Sequence, residues 1–574
     1  AEALGMNSIW KKLEVLDLSQ NDIGDEGAKA LARNETWFHL EELSLAGNKI
    51  CDLGATEIGR NTSWKNLKIL SLERNSFRDI GATSIAENRA WTKLEELYLY
   101  CNSLSEEFTD KLEKNIIWSN MKVLILRIEN STLQDLLSEP ESQEVTIIDE
   151  KLGDTDAIII GRTKTAWTNL KLLHLNENEI GDKGAIALGA NTTWSKLKEL
   201  SLSSNRIGDE GVVSIGSNTT WTNLEQLYLH ENEIGDKGAI ALGANTTWSK
   251  LKELSLSSNR IGDEGAFSIG SNTTWTNLQQ LHLNENEIGD KGAIALGANT
   301  TWSKLKELSL SSNRIGDEGV VSIGSNTTWT NLEQLYLHEN EIGDKGAIAL
   351  GANTTWSKLK GLRLFSNRIG DEGAVSIGSN TSWKQLIGLD LHKNQIAEKG
   401  ATAIGANTTW SKLKTLFLAS NKIRDEGAVS IGSNTTWTDL QQLHLWGNEI
   451  GDKGAAAIGT NTTWSKLKIL DLANNKIGNE GAFSIGSNTT WTNLQQLHLN
   501  ENEIGDKGAV AIGANTTWSK LKDLVLHSNR IGDEGVMALS KNVVWTELVE
   551  LKIYSNPFKN ASSLHQAFSG ETWK

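Results

Sequence analysis

The chain is expected to fold as an α/β solenoid, a stack of short coils with a parallel sheet on one side and short helices on the other. Two observations predict it. Tryptophan recurs every 27 residues, at Trp10, Trp37, Trp64, Trp91 and Trp118 and again from Trp167 through Trp545. Locked to that period is the pattern L-x-x-L-x-L-x-x-N-x-I, read at Leu170, Leu173, Leu175, Asn178 and Ile180. A unit this short cannot bury its own apolar face, so successive units must stack and share one elongated core.

Each part of the coil follows from its residues. Leu173 and Leu175 alternate with His174 and Asn176, the period of a half-buried strand. Ile180 closes the turn that follows. Asp182 reads as the N-cap of a short helix, Lys183 to Leu188, which Gly189 and Asn191 terminate. Ala185 and Leu188 face the core, and Trp194 fills the space where the chain returns to the next strand. Asn178 and its equivalents are expected to form a buried amide ladder between coils. Strands stack about 4.8 Å apart and helices about 10 Å apart, so the array should curve with its strands on the concave side. Counting L-x-L cores gives about 21 coils in one continuous sheet, wound as a horseshoe or superhelix.

Three stretches are distinguished: divergent coils over 1–126, an irregular shortened coil or kink over 127–166, and regular 27-residue coils over 167–574. Matching Leu152-Gly153-Asp154 to Ile180-Gly181-Asp182 places a strand at Val145 to Ile147. The coil before it shrinks to about 21 residues, and Ser138, Glu139 and Pro140 should cut its helix. Residue 1 falls inside a repeat and neither end carries a polar cap. The chain therefore reads as a fragment whose open solenoid ends favour self-association.

The formal net charge of −16 argues against nucleic acid or an anionic membrane as partner and is compatible with a basic protein. No apolar run approaches the roughly 20 residues of a membrane helix. Cys51 and Cys101 lie two repeats apart, roughly 10 Å at the strand spacing, which is too far for a disulfide. Two free thiols point to a reducing, cytoplasmic setting, with a secreted or cell-surface location as the alternative. Coils also alternate in type: the residue after the ladder asparagine runs Glu179, Arg206, Glu233, Arg260. Such exposed pairs are worth about 0–1 kcal/mol each and are read as register marks, not as a binding feature.

The run from Asn178 to Trp194, NEIGDKGAIALGANTTW, resembles leucine-rich repeats of the ribonuclease-inhibitor-like class, as in NOD-like receptors. Those repeats carry N-x-I-G-D-x-G-A followed by N-T-T-L. Here the period is one residue shorter than usual, and tryptophan replaces the last leucine. The resemblance spans the chain except for the stretch near 127–150. It implies a right-handed leucine-rich-repeat solenoid that binds proteins or microbial ligands on its concave face, and it names no ligand.

No nucleophile motif or phosphate loop is present, and the glycines of G-D-x-G are repeated turn residues. Histidines of like coils, such as His174, His230, His282, His338, His444 and His498, recur two coils apart, roughly 10 Å, beyond shared coordination of zinc. No enzymatic activity, cofactor or metal is expected. The sequon N-x-[ST] recurs at Asn191, Asn218, Asn245 and Asn272 and beyond. It reads either as a glycan on each coil or as a helix stop copied by tandem duplication. Duplication is visible, since Leu197–Asn259 nearly repeats at Leu305–Asn367. Most residues that escape copying lie at outward strand positions; between the coils at 362 and 443 these are Arg363, Phe365, Asp390, His392, Lys393, Phe417, His444 and Trp446. Aromatics beside an arginine match the composition of interface hot spots, and drift after duplication is the plain alternative. The expectation is a non-enzymatic recognition solenoid that binds a protein partner through its concave face. A structural or cell-surface repeat protein, glycosylated or filament-forming, is the rival, and a GTPase regulator is the third reading.

Overall fold

In the regular coils the L-x-L core makes a strand of only three residues, such as Leu172–His174, followed by one short helix, Asp182–Gly189. A computed structural model describes residues 1–559 apart from 115, 116, 122, 126–132, 134, 135, 138–140 and 164–166. Among these, strands β1 (Val15–Asp17) to β5 (Val123–Ile125) form a five-stranded sheet, and β6 (Glu144–Thr146) to β21 (Glu550–Lys552) a 16-stranded one. Both are ordered along the chain. The strands pair parallel in register, as in Leu173 with Leu200 and Leu254 with Leu281. The expected single sheet is thus divided between β5 and β6. Neighbouring strands share a register only when a whole coil separates them, and from Leu124 to Val145 the chain supplies only about 21 residues. Strand β6 sits one residue earlier than the spacing suggests. The expected helix break at Ser138–Pro140 falls outside the described residues.

The chain divides into two compact units, Ala1–Leu170 and Lys171–Lys574. In the second unit Leu173, Leu175, Ile180, Ala185, Leu188 and Trp194 are fully buried, and so are their equivalents in every coil up to Ile512 and Trp518. The indoles lie along the core; Trp194 and Trp221 stack with ring centroids 6.4 Å apart. Their Nε1–H groups have no acceptor among the described residues from Trp194 to Trp545. The exception in the first unit shows why. Trp118 Nε1 donates to the carbonyl of Asn88 at 2.9 Å, whereas the matching carbonyl in regular coils, Asn191 O for Trp221, is taken by Asn218 Nδ2 at 2.8 Å.

Three polar side chains per coil tie it to its neighbours. Asn205 Nδ2 donates to Leu175 O of the previous coil at 2.9 Å and to its own Leu202 O at 3.0 Å. Its Oδ1 accepts from Ile180 N at 3.0 Å, so the whole amide is used. This is the expected ladder. A second amide ladder runs through the sequon. Asn218 Nδ2 donates to Gly189 O and Asn191 O, both at 2.8 Å, and its Oδ1 accepts from Thr220 N and Thr220 Oγ1.

The third tie corrects the capping assignment. Asp182 is the first residue of its helix, behind Gly181, which makes no side-chain cap bond. Its Oδ1 instead accepts from Gly208 N at 2.8 Å and Gly211 N at 2.9 Å, the open N–H groups that begin the next helix. From Asp182 to Asp371 a coil thus caps its successor, its carboxylate closing the orphan donors of the next helix.

Two outcomes are expected from chemical denaturation. Trp302→Ala should destabilise the second unit by about 3–5 kcal/mol through the cavity it leaves. Trp302→Phe should cost much less, since the indole N–H makes no bond to lose. Asn218→Asp, which sets a carboxylate against two carbonyl oxygens, should cost at least ~2 kcal/mol.

Candidate protein-binding face

Side chains that point away from the core form two rows across the open face of the second sheet. The first row is the last residue of each strand. It runs through β13 (Gln334–Tyr336), β14 (Gly361–Arg363), β15 (Gly388–Asp390), β16 (Thr415–Phe417), β17 (Gln442–His444), β18 (Ile469–Asp471) and β19 (Gln496–His498). Register therefore sets Tyr336, Arg363, Asp390, Phe417, His444, Asp471 and His498 side by side. The second row lies two residues on and holds His338, Phe365, His392, Ala419, Trp446 and Ala473.

Of the sequence-derived set, Arg363 and Lys393 are exposed, while Phe365, Asp390, His392, Phe417, His444 and Trp446 are half-buried. Outward strand positions predict exposed side chains; most of these instead lean on neighbours in the sheet. Phe365 is held between His338 and His392, with ring centroids at 4.1 and 4.4 Å and nearly parallel planes. Only its edge is presented outward. Phe417 stacks on His444 at 4.4 Å, leaving its other face uncovered by a ring, and Arg363 lies over Tyr336 at 4.9 Å. Trp446 has only small neighbours in its row, Ala419 and Ala473, and carries the largest ring of the face. Lys393 does not join the rows. It occupies the turn after them at φ 51°, the column that Glu177, Ser204 and Glu231 fill in other coils.

The face has its own charge pattern, which sequence reading missed beyond Trp446. Asp390 Oδ1 meets His392 Nδ1 at 2.6 Å. Asp471 lies between His444 at 3.6 Å and His498 at 3.9 Å, and His498 Nε2 reaches Asp523 at 2.9 Å. Burial disfavours ionised Asp471, yet the neighbouring imidazoles of His444 and His498 and a hydrogen bond from the Ala473 N–H at 3.1 Å hold its pKa near 2. The nearby Asp471 carboxylate raises the His498 pKa against the opposing effect of burial. Burial instead lowers His338, beside Phe365. One end of the face is thus a paired acid and imidazole network, the other a stack of aromatic rings. The signal for Asp471 was available in the same outward column, whereas Asp523 belongs to the column of first strand residues. Among the described residues no trio of His, Cys, Asp or Glu is placed to hold a metal ion, and no helix is long and apolar enough to cross a membrane.

The first unit covers the corresponding face with its own chain. Tyr98 and Tyr100 are 2% and 3% exposed. Arg162, at the end of the helix Asp154–Arg162, lies 4.8 Å over the Tyr98 ring and pairs with Glu96. Arg74 donates to Leu137 O at 2.5 Å, and burial pushes the carboxyl of neighbouring Glu73 up to about 7.

The sequon asparagines Asn191, Asn218, Asn245 and Asn272 are buried, each about 5% exposed. The amide nitrogens of Asn218, Asn245 and Asn272 each donate to two carbonyls of the preceding coil. The nitrogen that a glycan would need is therefore engaged inside the folded array.

No curated protein sequence matches the chain. Solved structures of similar shape include a leucine-rich-repeat protein of Leptospira interrogans, 19% identical, covering 77% of this chain and 97% of that one with a TM-score of 0.46. An internalin of Listeria monocytogenes is 20% identical, with 75% and 89% covered and a TM-score of 0.41. The Arabidopsis receptor kinase HAESA, in complex with the peptide hormone IDA and the co-receptor SERK1, is 17% identical, with 95% and 83% covered and a TM-score of 0.41. The model of the Leucine Rich repeat matches residues 11–32, 38–59, 168–189, 195–216, 222–243, 249–270, 276–297, 303–324, 330–351, 357–378, 411–432, 438–459, 465–486, 492–513 and 519–540. These matches span more than half of the sequence, and the chain belongs to the leucine-rich repeat family.

Proposed function

We propose that this chain is a non-enzymatic recognition solenoid whose open sheet face binds a protein partner over β14 to β17. One observation carries the reading: over β14 to β17 the core columns stay fully buried while the outward columns depart from the copied pattern. They depart toward Arg363, Phe417 and Trp446, residue types that dominate interface energetics. Stacking on Tyr336 and His444 pre-orders Arg363 and Phe417, so little of their side-chain entropy remains to be lost on association. The flanking carboxylates Asp390 and Asp471 suit a basic partner. The engaged sequon amides remove the main support for a glycan-coated surface protein, and two free cysteines fit a reducing, cytoplasmic setting. We also assign the repeats to the ribonuclease-inhibitor-like class, on the N-x-I-G-D-x-G-A motif.

Phe417 and Trp446 are the anchors, since Phe365 has both faces occupied. Removing both rings (Phe417→Ser with Trp446→Ser) should weaken a captured partner at least ~30-fold, the loss of one hot spot of about 2 kcal/mol or more. Ser255→Ala, on the serine-bearing part of the same face, should leave binding unchanged. Calorimetry on the purified pair reads this directly. Full affinity in the double variant would rule out the proposed face.

A further inference from the structure

The relay in which each helix is capped from the coil before it runs unbroken from Asp182 to Asp371 and resumes at Asp425. Between them it fails at one junction. The capping position holds Glu398, one methylene longer, and among the described residues Glu398 accepts no backbone N–H. The glycine that should receive the cap is replaced by Arg424. Elsewhere this residue is extended, as Gly208 is at φ −99°, but Arg424 takes φ 54° and turns its N–H to Asn448 O at 3.0 Å. That left-handed conformation is strained for a side-chain-bearing residue. The helix then starts a residue early, at Arg424–Gly432, behind Ile423 at φ −63°. The disturbance reaches one coil further, where the Ile423 N to Asn448 Oδ1 bond stretches to 3.3 Å against 2.9 Å for Ile396 N to Asn421 Oδ1.

What replaces the cap is ionic and exposed. The Arg424 guanidinium lies 3.6 Å from Glu398 and 3.5 Å from Glu449, with about half of its side chain in solvent. Apolar packing is intact, since a Cβ on Gly427 would meet Ala401 at 2.6 Å, as one on Gly400 would meet Ala374 at 2.7 Å. The strand side is intact too, with Leu389, Leu416 and Leu443 in register. The family match likewise leaves residues 379–410 unmatched, the stretch that carries Glu398.

We propose that the junction between the helices Glu398–Gly405 and Arg424–Gly432 is a built-in joint of the solenoid, held on its helical side by a salt-sensitive ion pair in place of a cap. The strands act as its axis and the helices as its free edges, so opening there changes the angle between coils beneath the open face. Screening of exposed charges loosens it, while the capped junctions, whose short charge-to-amide bonds are partly buried, hold.

Hydrogen exchange of the full chain tests this. At about 20 mM salt the helix Arg424–Gly432 should already exchange faster than Asp371–Gly378 and Asp452–Gly459. Raising salt to about 500 mM should speed it by roughly two- to fivefold, the range of an exposed ion pair, and leave the other two unchanged. Glu398→Asp combined with Arg424→Gly rebuilds the consensus cap and should bring all three helices to one salt-independent rate. Equal exchange in the three native helices, or a double variant that behaves like the native chain, overturns the proposal.

Discussion

The array depends on one kind of interaction: a side chain of one coil closing the open backbone groups of the next. Helices of eight or nine residues and strands of three leave most of their termini unpaired, and the coil is too thin to supply partners from within. Asn205, Asn218 and Asp182 supply them from next door. Each buried donor or acceptor left open would cost about 1–3 kcal/mol, several times per coil. A coil on its own is therefore far from stable, and the buried tryptophan row adds the apolar half of the same dependence.

The same constraint explains where the surface can vary. Core, ladder and cap positions answer to two coils at once, so a change there damages a neighbour as well. The outward rows answer to none of these bonds. Arg363, Phe417 and Trp446 arose where substitution leaves the array untouched, which is also where a partner can touch it. The stacks of Phe365 and Phe417 with histidines, and the Asp471 pairs, show that even these rows couple along the sheet.

Much of this was legible in the sequence because periodicity reports burial directly. The three-residue strands, the Asn178-type ladder and the Trp194 column follow from spacing alone. What was not legible is which coil a polar side chain serves. Asp182 has the right type and position to cap its own helix, and only the packing of successive helices redirects it to Gly208 and Gly211. Asn218 sits in a sequon, a pattern indifferent to burial, and its ladder emerges only once coils are stacked. Apart from Lys393, which lies in the turn, the outward positions point away from the core, but alternation says nothing of contacts between rows, so the enclosure of Phe365 by His338 and His392 was not legible. The covered face of Tyr98 and Tyr100 depends on Arg162, whose coil lies beyond the break in period.

Capping across coils is the claim on which the account turns, and amide exchange in Asp263→Ala tests it most directly. Asp263 Oδ1 accepts from Gly289 N and Gly292 N, both at 2.8 Å, at the start of the next helix. The account predicts that protection falls in the helix Asp290–Ala298, which Asp263 does not belong to, while Asp263–Ser271 keeps its own. Loss confined to Asp263–Ser271 would contradict it, and would return the carboxylate to the ordinary role of capping its own helix.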